Sequence, residues 1–387
     1  MMNIEIHGVG FRNLGARLML ETVLGKLEHE RPDIRPSVFL SEGDFDPRAS
    51  LVSRTVLGDL RGKVLSELGG RFARSVTQSW SRATTSYGPN SAEACAALID
   101  ISGFLLSDQW GPVKAEAFAD LVETYAQRDA PVLLLPQSFG PFGDARVARA
   151  VKRVLRAATV IFARDELSAS HLEGILPAAR IYIAPDITLF HPPKHDPPSN
   201  GGTTVTIVPN GRIADRAGHG WTLDGFLRTL EVSVQWTLEQ GFQPQVLLHT
   251  SELKDRRLAE QLARRTTHPP QVIAPSTPLE AKTLLADSRL VVGARYHALA
   301  GAMSRGTPAI GLGWSHKYEH LFRDFQVPGL LLPDDASEDV VWGALDELSS
   351  PDAVQDLQGR LARPLSGMRE LNEAMWAQAL GYLPQPG

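Results

Sequence analysis

Hydrophobic residues along this chain fall into short unbroken runs that end in a glycine or a polar residue, and each run is followed by a stretch with apolar positions every three or four residues. Runs of that kind read as strands buried on both faces, and the stretches between them as amphipathic helices. The first strand is Asn3 to His7. A glycine turn then opens a helix with apolar positions at Leu14, Leu18, Val23, Leu24 and Leu27. From Ser41 to Asn90 the periodicity is poor, and only unassigned helices and loops are expected. Order returns with ALIDISG, a strand ending in Asp100 and Gly103, and a helix from Val113 to Gln127. The strand Val132 to Leu135 runs into a PQSFGPF loop, and a helix spans Asp144 to Arg156. TVIFARD is the next strand, ELSASHLEG the next helix, and Ile181 to Ala184 a short last strand.

After residue 190 the alternation stops. Residues 191–202, HPPKHDPPSNGG, hold four prolines and two glycines and almost nothing to bury, which marks a linker. The alternation then restarts. TTVTIVPN, PQVLLHTS and QVIAP read as strands, with helices at Leu223 to Glu239, Lys254 to Arg265 and PLEAKTLLADS. A strand core at Leu290 to Val292 leads through Arg295 and His297 into a small-residue helix ending near Gly306. Pro308 to Leu312 is a further strand, followed by a polar loop with His316 and Lys317. Leu330 to Leu332 adds a short strand, and helices near Glu338 to Leu348 and Val354 to Leu380 close the chain.

Alternating strands and helices with short connections specify parallel α/β layers. The fold class expected is therefore α/β, with two Rossmann-like parallel-sheet domains facing a cleft and helices at the C-terminus. Residues 1–190 form the N-terminal domain and 203–350 the C-terminal domain. Residues 351–387 form a helical segment expected to pack back on the N-terminal domain. In such sheets ligands bind outside the carboxyl ends of the strands, so the strand-end residues are the first candidates for chemistry.

Composition narrows the possibilities. The length of 387 residues suits two cores of about 150 to 200 residues each. A net charge of -5 and a pI near 6.1 argue against a nucleic-acid partner, which would require a basic face. The single cysteine, Cys95, lies among alanines, reads as a buried helix residue, and excludes an intramolecular disulfide. No basic leader precedes an apolar run and no window is long enough to span a bilayer, so a cytoplasmic protein is expected.

The strand ends supply Arg12, Asn13, Asp100, Asp108, Gln137, Ser138, Arg164 and Asp165 from the first half. Asn210, Arg212, His249, Arg295, His297 and Lys317 come from the second. Cations dominate that second set, which implies a ligand with two or more negative groups. Some have a structural alternative. Asp165 either joins the site or caps the following helix. Arg295 either orients a phosphate or braces its loop through a carboxylate, and His297 is either functional or a satisfied core histidine. Gly8 and Gly10 suggest a dinucleotide loop, but Gly15 follows Gly10 by five positions rather than the three that motif needs. His316, Glu319 and His320 spell a zinc-protease pattern with no third ligand, and no metal is expected.

Taken together, GFRNLGARLML, DISG, LPQSFGPF, ARDELS, APDITLF and GARYHALAGAMSRGTPAIGLGWSHK resemble the polysaccharide pyruvyltransferase family, over most of residues 6–320. The resemblance implies a GT-B-like transferase that moves pyruvate from phosphoenolpyruvate to a sugar as a ketal, in polysaccharide and cell-envelope biosynthesis. It assigns Arg164, His297 and Lys317 to catalysis, with Arg295 accompanying, and His297 and Lys317 have the family's spacing of twenty. Arg12, Asn13, Gln137, Ser138, Asp100, Asn210 and Arg212 are expected to bind substrate. His297 is the candidate acid/base, with Asp100 or Asp108 the alternative acid for the methylene carbon. No tightly bound cofactor is implied, and phosphoenolpyruvate is a co-substrate. The acceptor would be a sugar or a lipid-linked glycan, the latter bringing peripheral contact with a membrane. Family loops often place a tyrosine ahead of the lysine, where this chain has Trp314, Ser315 and His316. Two other classes compete: a GT-B glycosyltransferase using a nucleotide sugar, and a non-catalytic glycan-binding relative.

Overall fold

The computed structural model describes residues 2–38, 95–177, 179–192, 194–195, 202–215, 220–313 and 315–385. The Ser41 to Asn90 region, most of the 191–202 linker and Trp314 lie outside the described residues. The chain divides into two compact units. One comprises Met1–Phe11, Ala16–Ile187 and Met368–Gly387, the other Arg12–Gly15 and Thr188–Gly367.

In the first unit β1 (Met2–His7), β2 (Ile34–Val38), β3 (Leu98–Asp100), β4 (Val132–Gln137), β5 (Val160–Ala163) and β6 (Ile181–Ile183) form one parallel sheet in the order β2-β1-β3-β4-β5-β6. Its helices are α1 (Leu14–Glu30), α2 (Pro112–Ala126), α3 (Ala145–Ala157) and α4 (Glu166–Ile175). Successive strand residues alternate between two cores, as the pleat requires. Leu133 and Leu135 join Ile4, Ile6, Val23 and Leu24, while Val132 and Leu134 join Phe118, Val122, Val151 and Val154. β2 was not expected. Its sequence, IRPSV, is short, polar and interrupted by Pro36, and it sits at the sheet edge, where a missing amide is tolerated.

The second unit repeats the plan. β7 (Thr204–Val208), β8 (Gln243–Leu247), β9 (Gln271–Ile273), β10 (Leu290–Gly293), β11 (Ala309–Leu312) and β12 (Leu331–Leu332) are parallel in the order β12-β11-β10-β7-β8-β9. Between and after them lie α5 (Leu223–Glu239), α6 (Leu253–Arg265), α7 (Pro278–Ala286), α8 (Tyr296–Met303), α9 (His316–Asp324), α10 (Glu338–Asp346) and α11 (Pro351–Ala362). Thr222, Thr277, Ser337 and Ser350 each accept a backbone N–H at the start of the next helix.

Two sequence expectations need correction. His316 and Lys317 do not lie in a loop: they open α9, because Tyr318, Leu321, Phe322 and Phe325 form an apolar face at helical spacing and are all buried. The expected single helix from Val354 to Leu380 is two, α11 and α12 (Leu365–Gly381), broken at Pro364, which has no amide to donate. α12 contributes Met375, Trp376, Ala379 and Leu380 to the first unit's core, beside β1 and α1. Arg31 donates to the Pro384 carbonyl just beyond it, at 2.7 Å.

Candidate active site

In the second unit the carboxyl ends of β10 and β11 deliver the cationic residues. Arg295 is the N-cap residue of α8 and His297 lies in its first turn, while Ser315 precedes α9 and Lys317 lies in the first turn of that helix. Helix starts expose amides with no intrahelical acceptor and carry the positive end of the helix dipole, so both starts favour an anion. Three bonds tie these turns together. The Ala294 carbonyl accepts from Tyr318 Oη at 2.7 Å and from Asn210 Nδ2 at 2.9 Å, and Asn210 Oδ1 accepts the Arg212 amide at 3.1 Å. The Lys317 ammonium lies 6.0 Å from the Tyr296 ring centre and 5.5 Å from that of Tyr318, within cation–π range.

Arg295 is turned onto Asp255 of α6. Its Nε and Nη2 reach the carboxylate at 2.6 to 3.1 Å, and Asp255 also accepts the Gly211 amide at 2.8 Å. Both partners are buried, so the bracing alternative is realised. Burial pushes the Asp255 carboxyl above the usual carboxylate range, with the Arg295 guanidinium pulling the other way. Arg212 pairs with Glu252 at 3.0 Å.

His297 is seated by Gly15. A Cβ built on Gly15 would lie 2.2 Å from His297 Nδ1, so only a glycine lets the chain pass there. The Arg12–Gly15 segment is held in the second unit by the Arg12 carbonyl accepting from Ser251, the Asn13–Thr250 bridge and Leu14 donating to the His249 carbonyl. Asn13 Oδ1 accepts the Gly15 amide at 2.9 Å. His249 is buried, and that burial, with His297 and Arg295 nearby, pushes its imidazole down to about 3.

The first unit gathers a different set. Arg164, one residue beyond β5, donates from Nη1 to Asp186 at 2.6 Å and from Nη2 to Ser138 at 2.9 Å. Asp165 caps α4 by accepting the Ser168 amide at 2.7 Å, as its structural alternative had it. Gln137 donates to Asp100 Oδ2 at 2.6 Å, and Asp100 Oδ1 accepts from His7 Nδ1 at 2.7 Å and from the Ser102 hydroxyl. Asp108 lies apart from this network, tied to the amides of Gly143 and Asp144.

Within the first unit, then, Asp100 and Gln137 share one network and Ser138 and Arg164 another. Within the second, Asn210, Arg295, His297 and Lys317 share the turns after β7, β10 and β11. Sequence reasoning passed over His7, Asp186, Asp255 and Gly15. His7 could have been found by the rule that found the others, since it is the polar residue ending a strand ahead of a glycine. Asp255 and Gly15 act through contacts distant in sequence and leave no local signal.

Residues 13–316 match the model of a family described as polysaccharide pyruvyl transferase. A search of curated proteins finds no match. Among solved structures, a UDP-glucosyltransferase from Polygonum tinctorium is 11% identical, with 100% of this chain and 99% of that one covered, at a TM-score of 0.57. A putative UDP-N-acetylglucosamine 2-epimerase from Listeria monocytogenes is 11% identical over 98% of this chain and 94% of that one, also at 0.57. The UDP-GlcNAc 2-epimerase from Neisseria meningitidis is 9% identical over 98% and 100%, at 0.56. At these identities the likeness is one of fold, the GT-B arrangement of two parallel α/β domains.

Proposed function

The chain belongs to the polysaccharide pyruvyl transferase family, and from that premise we propose that it transfers pyruvate from phosphoenolpyruvate to two hydroxyls of one sugar, forming a ketal and releasing phosphate. The observation that supports this reading is the pairing of adjacent parallel strands β10 and β11, which both open into helices whose first turns hold His297 and Lys317. Two helix starts with a lysine and an imidazole suit a donor that carries both a phosphate and a carboxylate.

In this mechanism His297, as the imidazolium, protonates the methylene carbon of phosphoenolpyruvate, so that the carbon becomes a methyl group and C2 gains oxocarbenium character. One sugar hydroxyl adds to C2 and the C2–O bond to phosphate then breaks. A second hydroxyl closes the ketal. Of the two hydroxyl protons, one replaces the proton given to the methylene and the other leaves with hydrogen phosphate. Lys317 stabilises the departing phosphate. Arg295, with Nε and Nη2 committed to Asp255, fixes the turn ahead of His297. Arg164 is the third residue assigned to catalysis, its guanidinium held by Asp186 and Ser138, and Asn210 and Arg212 line the turn after β7. Arg12, Asn13, Gln137, Ser138 and Asp100 serve substrate binding.

Phosphate release from phosphoenolpyruvate, measured against a panel of hexopyranosides, tests the proposal. Wild type should release phosphate only when an acceptor is present, His297→Ala should be inactive, and Lys317→Ala should lose about 10²- to 10³-fold in kcat. No release with any acceptor and no phosphoenolpyruvate binding by calorimetry would sink it. Turnover of a nucleotide sugar instead would favour a glycosyltransferase.

A further inference from the structure

Strands β10, β7 and β8 are neighbours in the second unit's sheet, and the turns leaving their carboxyl ends carry Arg295 with His297, Asn210, and His249. Of these, His249 has no part in the mechanism above. It lies two residues beyond β8 and is 5% exposed, and its Nδ1 is buried with no hydrogen-bond partner among the described residues. The backbone around it is tied down. Leu248 donates to the Ile273 carbonyl at 2.8 Å, the His249 carbonyl accepts from Leu14 at 3.1 Å, and Thr250 bridges to Asn13. The helix that follows, α6, gives Asp255 to Arg295 and to the Gly211 amide, which joins the turns after β7, β8 and β10 to one another. A buried polar atom without a partner costs stability, and a leucine, as at the buried positions 247 and 248, would fill the place without that cost. Packing alone therefore gives no reason for a histidine here.

Resting on the pyruvyl-transfer reading above, we propose that His249 is a donor-binding residue, its uncharged imidazole giving a hydrogen bond to an anionic oxygen of phosphoenolpyruvate beside His297. His249, Arg295, His297 and Lys317 all belong to the second unit, so the contact asks nothing of the first. The charges near the ring are of one sign. Burial first, then His297 and Arg295, push its proton affinity down to a pKa of about 3, with a contact to its own backbone pulling the other way. The Asp255 carboxylate is already taken by Arg295 and the Gly211 amide. A neutral imidazole still offers one N–H donor, and among cations the acceptor that suits it is a phosphate or carboxylate oxygen. Its neutrality also matters to the reaction. His297 has to begin as the imidazolium, and a further cation at position 249 would oppose that proton, whereas an uncharged donor holds the same oxygen without doing so. The role is one of binding and orientation, with no bond made or broken at His249.

The test measures phosphoenolpyruvate binding by calorimetry and acceptor-dependent phosphate release in wild type, His249→Gln and His249→Phe. Glutamine keeps an uncharged N–H donor, while phenylalanine fills the space of the ring without one. His249→Phe should bind phosphoenolpyruvate about tenfold or more weakly, as loss of a hydrogen bond to a charged group implies. Most of that loss should appear in KM for phosphoenolpyruvate rather than in kcat, and His249→Gln should recover the greater part of it. Thermal unfolding at pH 7 checks that the variants fold, and His249→Leu takes the place of the phenylalanine variant if that one does not. Wild-type affinity in the apolar variant, or a loss that His249→Gln shares in full, overturns the assignment while leaving pyruvyl transfer intact. A wild-type enzyme that neither binds phosphoenolpyruvate nor releases phosphate overturns both.

Discussion

At the scale of single residues, Gly15 is a position where a small change bears directly on His297. Gly15→Ala adds one methyl group, but that methyl would lie 2.2 Å from Nδ1 and 2.8 Å from Cβ of His297, so ring rotation alone cannot clear it. Overpacking of this kind costs about 1 to 3 kcal/mol, and steady-state assay should show a loss in kcat larger than the loss in thermal stability implies. A variant with wild-type turnover would mean that His297 need not stand where it does. His249 makes a second prediction. Its imidazole, pushed down to about 3 by burial first and by His297 and Arg295 next, is neutral in the folded chain but takes up a proton in the unfolded one at pH 5. Its contribution is therefore present above about pH 6.5 and is lost as pH falls towards 3, amounting to about 2 kcal/mol between pH 7 and 5. Urea unfolding at the two pH values should show that drop in wild type and less of it in His249→Gln; equal drops would refute it. Residues of this sort divide by legibility. His297 and Lys317 stood out because their type and spacing point to charge at strand ends, whereas the role of Gly15 depends on a histidine far along the chain.

Among the elements, helix α6 serves the turn before α8 through one buried pair. Asp255→Asn leaves the Arg295 guanidinium buried without its counter-charge, and removing one partner of such a pair costs about 3 to 5 kcal/mol. Denaturant unfolding should report that loss, and replacing both residues with apolar ones of similar volume should recover much of it while phosphate release stays impaired. A full-stability Asp255→Asn would show the pair to be dispensable for the fold. Most elements were legible, because unbroken apolar runs such as Val132 to Leu135 allow no other use in a protein of this composition. The failures had physical reasons. β2 has an arginine, a proline and a serine in its five residues and no unbroken aliphatic run, and it forms because β1 offers it a ladder. The start of α9 looked like a loop because its first turn is His-Lys-Tyr-Glu, and only Leu321, Phe322 and Phe325 further on disclose the face it buries.

For the whole molecule, the division into parallel α/β units was legible from the restart of the strand–helix alternation near residue 203. That Met368–Gly387 belongs with the first unit's contacts rests on Met375, Trp376, Ala379 and Leu380 packing beside β1, pairs separated by almost the whole chain. No helix among the described residues is long and apolar enough to cross a membrane. The return of α12 to β1 and α1 also sets an order of assembly during synthesis. Domains usually close in the order in which they leave the ribosome, but here Thr188–Gly367 is complete before the strands made first receive the helix that covers them. Nascent chains arrested as Gly367 clears the ribosome should resist protease across the second unit and be cut in the first, and release of α12 should end that difference. Until then the core that Ile4, Ile6 and Val23 share with Met375, Trp376, Ala379 and Leu380 stays incomplete on the emerging polypeptide.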